Sequence, residues 1–219
     1  MKEKTGEIFS ITKDNEPVPG CTISKEVWSA DGDYICYFSL AENTDISAEI
    51  YGYYKLLAVS FGELEVYAPE LNKIWVVTEG NYIVTPTDTP VGMRTSKGAV
   101  YTEISIKRNE FMNNAIKAGE VLNLAELLPY RDGKIVNMDV VSNNKMKFVV
   151  IAFDEGTGLA EHAAPGEALI FALEGRGIIG YEGREHPIKA GENFKFAKNG
   201  KHWVKADGRF KMALLLTLE

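Results

Sequence analysis

Histidine is scarce in this chain: 219 residues hold only three, His162, His186 and His202, all in the second half. Cysteine is as sparse, with only Cys21 and Cys36. That excludes a disulfide framework or a cysteine-based metal spacing and reads as two free thiols. No basic cluster is present; 24 Lys and Arg against 31 Asp and Glu give a net charge of -7. A nucleic-acid partner, which needs a basic face, is therefore not expected. Long apolar runs are missing too. Residues 147–153 and 212–218 are the longest, of strand length and far too short to span a bilayer. Residues 1–10 lack the apolar core of an export signal. The expectation is a cytoplasmic protein with no membrane partner. There is also no glycine-rich phosphate loop, no Gly-x-Ser-x-Gly elbow and no Cys-x-x-Cys.

What is present is a repeat. Gly6-Glu7-Ile8-Phe9 resembles Gly119-Glu120-Val121-Leu122, an offset of 119 − 6 = 113. At that offset the apolar run 34–40 meets 147–153, Leu56-Leu57-Ala58-Val59 meets Leu169-Ile170-Phe171-Ala172, and Gly62 meets Gly175. Beyond Gly62 the offset falls by two, so that Gly80 meets Gly191. Several apolar runs and their turn glycines staying in one register indicate two copies of a unit of ordinary domain size. The boundary is expected near residues 108–118, giving units 1–112 and 113–219. Short β-rich runs punctuated by glycine, asparagine and proline predict an all-β protein of sandwich or barrel type. One helical turn is expected within residues 122–127, capped by Asn123.

The second unit carries a spaced motif: Gly156, five residues, His162, and then Gly175 in Leu173-Glu174-Gly175, followed by Gly191 and His202. This pattern resembles the two motifs of the cupin superfamily. The resemblance implies two tandem cupin barrels, each a double-stranded β-helix or jelly roll. In cupins three histidines and a glutamate hold a divalent transition metal. Here the second histidine position is Ala164 and the glutamate position is Ala168, so two of four ligands remain. Glu167, one residue out of phase, and His186 are the candidates to complete a metal site with His162 and His202. The ion would be iron, manganese, nickel, copper or zinc. The other reading is that the two histidines line a pocket without an ion.

Cupin register implies that His162, Ala164, Ala168, Ile170, Ala172, His202 and Val204 face inward. Three alanines in place of larger side chains would leave space for a small-molecule ligand, with Phe194, Phe196 and Trp203 as aromatic wall; larger neighbours could also fill it. In the first unit Glu49, Tyr51, Lys55 and Val91 take the positions of His162, Ala164, Ala168 and His202. Glu49 and Lys55 either pair inside the barrel or reach solvent. The expected function is small-molecule binding in the second barrel. The alternatives are a metal-dependent enzyme of isomerase or oxygenase type and a structural protein. A homodimer formed through edge strands would suit any of these.

Overall fold

The computed structural model describes residues 1–107 and 111–218. Part of the expected boundary, residues 108–110, lies outside the described residues. The chain is all-β, as expected. The first half contributes β1 (Ile8–Phe9), β2 (Thr22–Ala30), β3 (Asp33–Leu40), β4 (Thr44–Ile50), β5 (Tyr54–Ala68), β6 (Lys73–Thr78), β7 (Asn81–Val84), β8 (Pro90–Thr95) and β9 (Ala99–Ile106). The second contributes β10 (Phe111–Met112), β11 (Val121–Asn123), β12 (Ile135–Ser142), β13 (Met146–Phe153), β14 (Gly158–Ala163), β15 (Glu167–Tyr181), β16 (Arg184–Lys189), β17 (Asn193–Phe196) and β18 (Lys201–Thr217). The repeat is visible in the bounds: β3 and β13, and β5 and β15, begin and end 113 residues apart (146 − 33; 167 − 54).

The strands form two nine-stranded sheets. The spine of one is β7-β5-β9-β3-β2, and that of the other is β17-β15-β18-β13-β12. Each half lends one short strand to the other half's sheet. Ile8 of β1 pairs with Phe194 of β17, and Val121 of β11 pairs with Ile83 of β7. These are equivalent exchanges, because 121 − 8 = 113 and 194 − 83 = 111. Sequence patterning did not show this exchange. Directly after each lent strand comes a short turn of helix, Ile11–Asp14 in one half and Leu124–Glu126 in the other. Ser10 caps the first, and Asn123 Oδ1 accepts from Ala125 N at 2.9 Å in the second, which satisfies a free N–H at the helix start.

Alternation along the strands explains the apolar runs. In β5 Leu57 and Val59 enter the inner core of the first half, while Leu56 and Ala58 face the opposite way. In β13 Val149, Ile151 and Phe153 enter the inner core of the second half, and Phe148, Val150 and Ala152 face the opposite way. Both outward sets meet in one cluster, with Ile35, Tyr37, Ile104, Leu169, Phe171 and Leu215. The sheets are thus covered on both faces, and their central strands read as continuous apolar segments. Gly62 and Gly175 hold equivalent positions in the long strands at φ 75° and 73°. A Cβ there would lie 2.0 Å from Gly98 O and 1.9 Å from Arg209 O. Only glycine lets the neighbouring backbone approach this closely.

Phe148 is 1 % exposed and packs edge-on against Phe171 in the shared core. Phe148→Ala is expected to cost about 3–5 kcal/mol, read from urea unfolding. A loss below about 1 kcal/mol would show that the shared core does not hold the halves together.

Candidate functional site

The two histidines retained from the motif are brought side by side. β14 pairs with β18 so that His162 stands directly opposite His202. A bulge between Leu159 and His162 sets this register. One residue more or less would turn His162 to the other face of the strand. The first half repeats the device: a bulge between Ile46 and Glu49 places Glu49 opposite Val91.

The rings of His162 and His202 lie 4.3 Å apart, centre to centre. His162 is exposed, whereas His202 is 3 % exposed and stacks on Phe196 at 4.0 Å. Nδ1 of His162 meets Ala160 O at 2.8 Å, and Nδ1 of His202 meets Gly200 O at 2.8 Å. A carbonyl only accepts, so Nδ1 must carry the proton in both rings. That leaves both Nε2 atoms as bare acceptors, with no partner among the described residues. Burial lowers the pKa of His202; the bond to Gly200 O opposes this in part, and the neighbouring His162 adds to it.

The expected inward residues gather behind this pair. Ala168, Ile170, Ala172, Phe194, Phe196 and Val204 belong to one buried cluster, while Ala164 is half-buried at the edge. The space that the alanines would vacate is taken by aromatic rings. Phe194 lies 5.2 Å from Phe196, and Tyr181, which sequence reasoning missed, lies 5.7 and 5.5 Å from these two. Trp203 is not part of this wall. It pairs with Gly180 and lies over it, where a Cβ would come within 1.9 Å of the indole. Strand alternation sends it to the face opposite His202 and Val204.

The two extra metal-ligand candidates do not join the pair. Glu167 bonds the amine of Met1 and Lys195 Nζ, the latter at 2.6 Å. Burial pushes its carboxyl up, but these two cations outweigh that and hold it below the usual range. His186 sits on β16 with its ring 5.0 Å from Phe194, so Phe194 and Phe196 separate it from His202. Among the described residues no three His, Cys, Asp or Glu side chains converge. Two imidazoles fall short of the three protein ligands that hold a catalytic metal such as zinc. The donor set does not fit a resident transition metal.

In the first half Lys55 does not pair with Glu49. Its Nζ lies 3.1 Å from Glu103 Oε1 and 3.6 Å above the ring of Tyr51. Glu103, 2 % exposed, also accepts from Tyr34 Oη at 2.5 Å. The exposed Glu49 accepts from Tyr51 Oη. Glu103 was missed by sequence reasoning, although a lone glutamate inside the apolar run 99–106 was the available signal.

Residues 149–218 match the family model of the cupin domain. A Leptotrichia buccalis protein described as a cupin 2 conserved barrel domain protein superimposes with a TM-score of 0.86 at 24 % identity, covering 99 % of this chain and 98 % of that one. The fold is the cupin fold. More distant cupin-fold likenesses are a salicylate 1,2-dioxygenase mutant from Pseudoaminobacter salicylatoxidans and a mutant of Bacillus subtilis oxalate decarboxylase. The first has TM-score 0.60 and 12 % identity over 84 % of this chain and 70 % of that one. The second has TM-score 0.54 and 11 % identity over 100 % and 78 %. Among curated protein sequences, none matches the chain. Cupin-fold likeness at these identities speaks for architecture and not for chemistry.

Folding favours the neutral ring of His202. The unfolded chain takes up that proton at about pH 6.5, and the folded protein does so only at lower pH. The stability this ring allows is complete above the unfolded value and falls as pH drops through it toward the folded value. An NMR titration should place the His202 midpoint below about 6.5, and His202→Gln should flatten the loss of stability between about pH 7 and pH 5. A midpoint at or above the unfolded value would contradict the buried, neutral ring.

Proposed function

We propose that the protein is a small-molecule-binding bicupin whose second barrel takes its ligand at the His162–His202 pair. Residues 1–112 and 113–219 would be its two barrels, each completed by a strand of the other. The observation that carries this reading is the pair of imidazoles, each fixed through Nδ1 to a carbonyl and each presenting a bare Nε2. Two acceptors fixed in this way suit a ligand bearing hydroxyl or N–H donors. Because aromatic rings occupy the interior behind them, the ligand would sit beside the exposed His162 and not deep among Ala168, Ile170 and Ala172. The motif is read as a degenerate metal site: alanines stand at two of its ligand positions, and Glu167 is engaged by Lys195. The reaction types named by the cupin-fold neighbours do not transfer, since likeness at 12 % and 11 % identity speaks for the fold alone. Among the described residues no helix is long and apolar enough to cross a membrane, and a cytoplasmic location remains part of the proposal.

The proposal includes a homodimer. The edge strand β6 exposes Ile74 and Val76 at 57 % and 49 %, beside Leu71 at 48 %. Apolar side chains along an unpaired edge favour pairing with a second copy. Sedimentation velocity should show a dimer that Ile74→Lys dissociates; a monomeric parent protein would remove the dimer from the proposal.

The binding reading is tested by ligand-observed NMR with a panel of hydroxylated small molecules, on protein purified without a histidine tag. Hits are expected to weaken at least about tenfold in His162→Ala/His202→Ala, the loss of one to two hydrogen bonds. Hits that survive the double variant, or an absence of hits, would sink it. Stoichiometric transition metal in elemental analysis, lost in the same variant, would move the protein to the metal-dependent enzyme reading.

A further inference from the structure

A cleft lies between the halves. It has a volume of about 460 Å³. Five of its positions come from the first half, Val59, Ser60, Glu79, Gly80 and Tyr82. Their repeat equivalents Ala172, Leu173, Ala190, Gly191 and Asn193 line the same cleft, at offsets of 113 (172 − 59) and 111 (193 − 82). It therefore lies where the two repeats face one another. Clefts between packed units are preferred places for small-molecule sites.

The charged residues that line it are all glutamates. Glu79 comes from the first half, and Glu126, Glu174 and Glu192 from the second. Glu174 pairs with Lys211 at 3.2 Å, and Glu192 accepts from Lys189 N at 3.0 Å. Glu79 and Glu126 have no side-chain partner among the described residues. A carboxylate cluster in itself would mean little. The second observation is Tyr82, 6 % exposed and part of the cleft wall. Its hydroxyl has no partner among the described residues, and unlike those of Tyr37 and Tyr101 it is not sealed from solvent. Its repeat equivalent, Asn193, is fully used: Oδ1 accepts from Ile11 N and Nδ2 donates to Ile170 O, each at 3.2 Å.

The wall already shows how it receives a primary ammonium group. Lys211 Nζ donates to Ala125 O at 2.6 Å, faces Glu174, and lies 4.4 Å from the ring centre of Tyr130. Ala125 and Glu174 both line the cleft. Phe171 and Leu173 give the same cleft apolar surface that hydrocarbon can cover.

We propose that this cleft binds an aliphatic polyamine: ammonium groups on the free carboxylates Glu79 and Glu126, a further amine hydrogen-bonded to Tyr82 Oη, and methylenes against the apolar residues. The site is separate from the His162–His202 pair. Isothermal titration with spermidine at low ionic strength tests it, with calcium chloride as the competing cation. One-to-one binding is expected, weakened at least about tenfold by Glu79→Gln/Glu126→Gln, since hydrogen bonds to charged groups are the stronger ones. Tyr82→Phe should weaken it at least about tenfold, the value of one hydrogen bond to a charged group, and circular dichroism confirms folding of each variant. His162→Ala/His202→Ala should leave it unchanged. Absence of binding, binding that the carboxamide variant leaves intact, or displacement by equimolar calcium would each overturn the proposal. Loss of spermidine binding in the histidine variant would overturn the separation of the two sites.

Discussion

The packing of two sheets back to back is the constraint on which the rest depends. Phe148, Val150 and Ala152 of one half meet Leu56, Ala58 and Ile104 of the other in a single buried cluster. Each central strand must then be apolar on both faces, because one face fills an inner core and the other fills the shared one. The exchanged strands β1 and β11 add hydrogen bonds across the same junction. Little of the sheet is left free to carry chemistry.

Equivalent positions in the two halves have taken opposite solutions. Lys55 and Glu103 form a buried pair in the first. Their repeat equivalents are Ala168 and Leu214 (168 − 55 = 113; 214 − 103 = 111), both apolar. A buried ion pair often gains little net stability, but removing one partner leaves an uncompensated charge. Tyr34 and Tyr51 give that pair further contacts and occupy the end of the first half. Among the described residues of the second half no such pair stands at these positions, rings fill the interior, and the Nε2 atoms of His162 and His202 are left unpartnered.

Much of this was legible in the sequence. The 113-residue register located β3 against β13 and β5 against β15 to the residue, because apolar alternation and turn glycines are local signals. Asn123 as a cap was legible for the same reason. The inward set of Ala168, Ile170 and Val204 followed from cupin register, and Glu49 does stand opposite Val91 as His162 stands opposite His202. What could not be read were the long-range partners. The strand exchange, the choice of Glu103 over Glu49 by Lys55, and the capture of Glu167 by Lys195 and Met1 each join residues from separate segments. Strand period alone placed Trp203 opposite His202, yet it had been expected on the same wall. The seam cleft exists only because the two halves pack on one another, which no local pattern encodes.

The central claim is that both imidazoles are held through Nδ1–H to a backbone carbonyl, with Nε2 left without a partner among the described residues. Long-range proton–nitrogen NMR correlation of the histidine rings at about pH 7, where an unshifted imidazole is mostly neutral, reads this directly. The account predicts the Nδ1–H tautomer for both His162 and His202. An unprotonated Nδ1 in either ring, or a charged His202 at that pH, would contradict it.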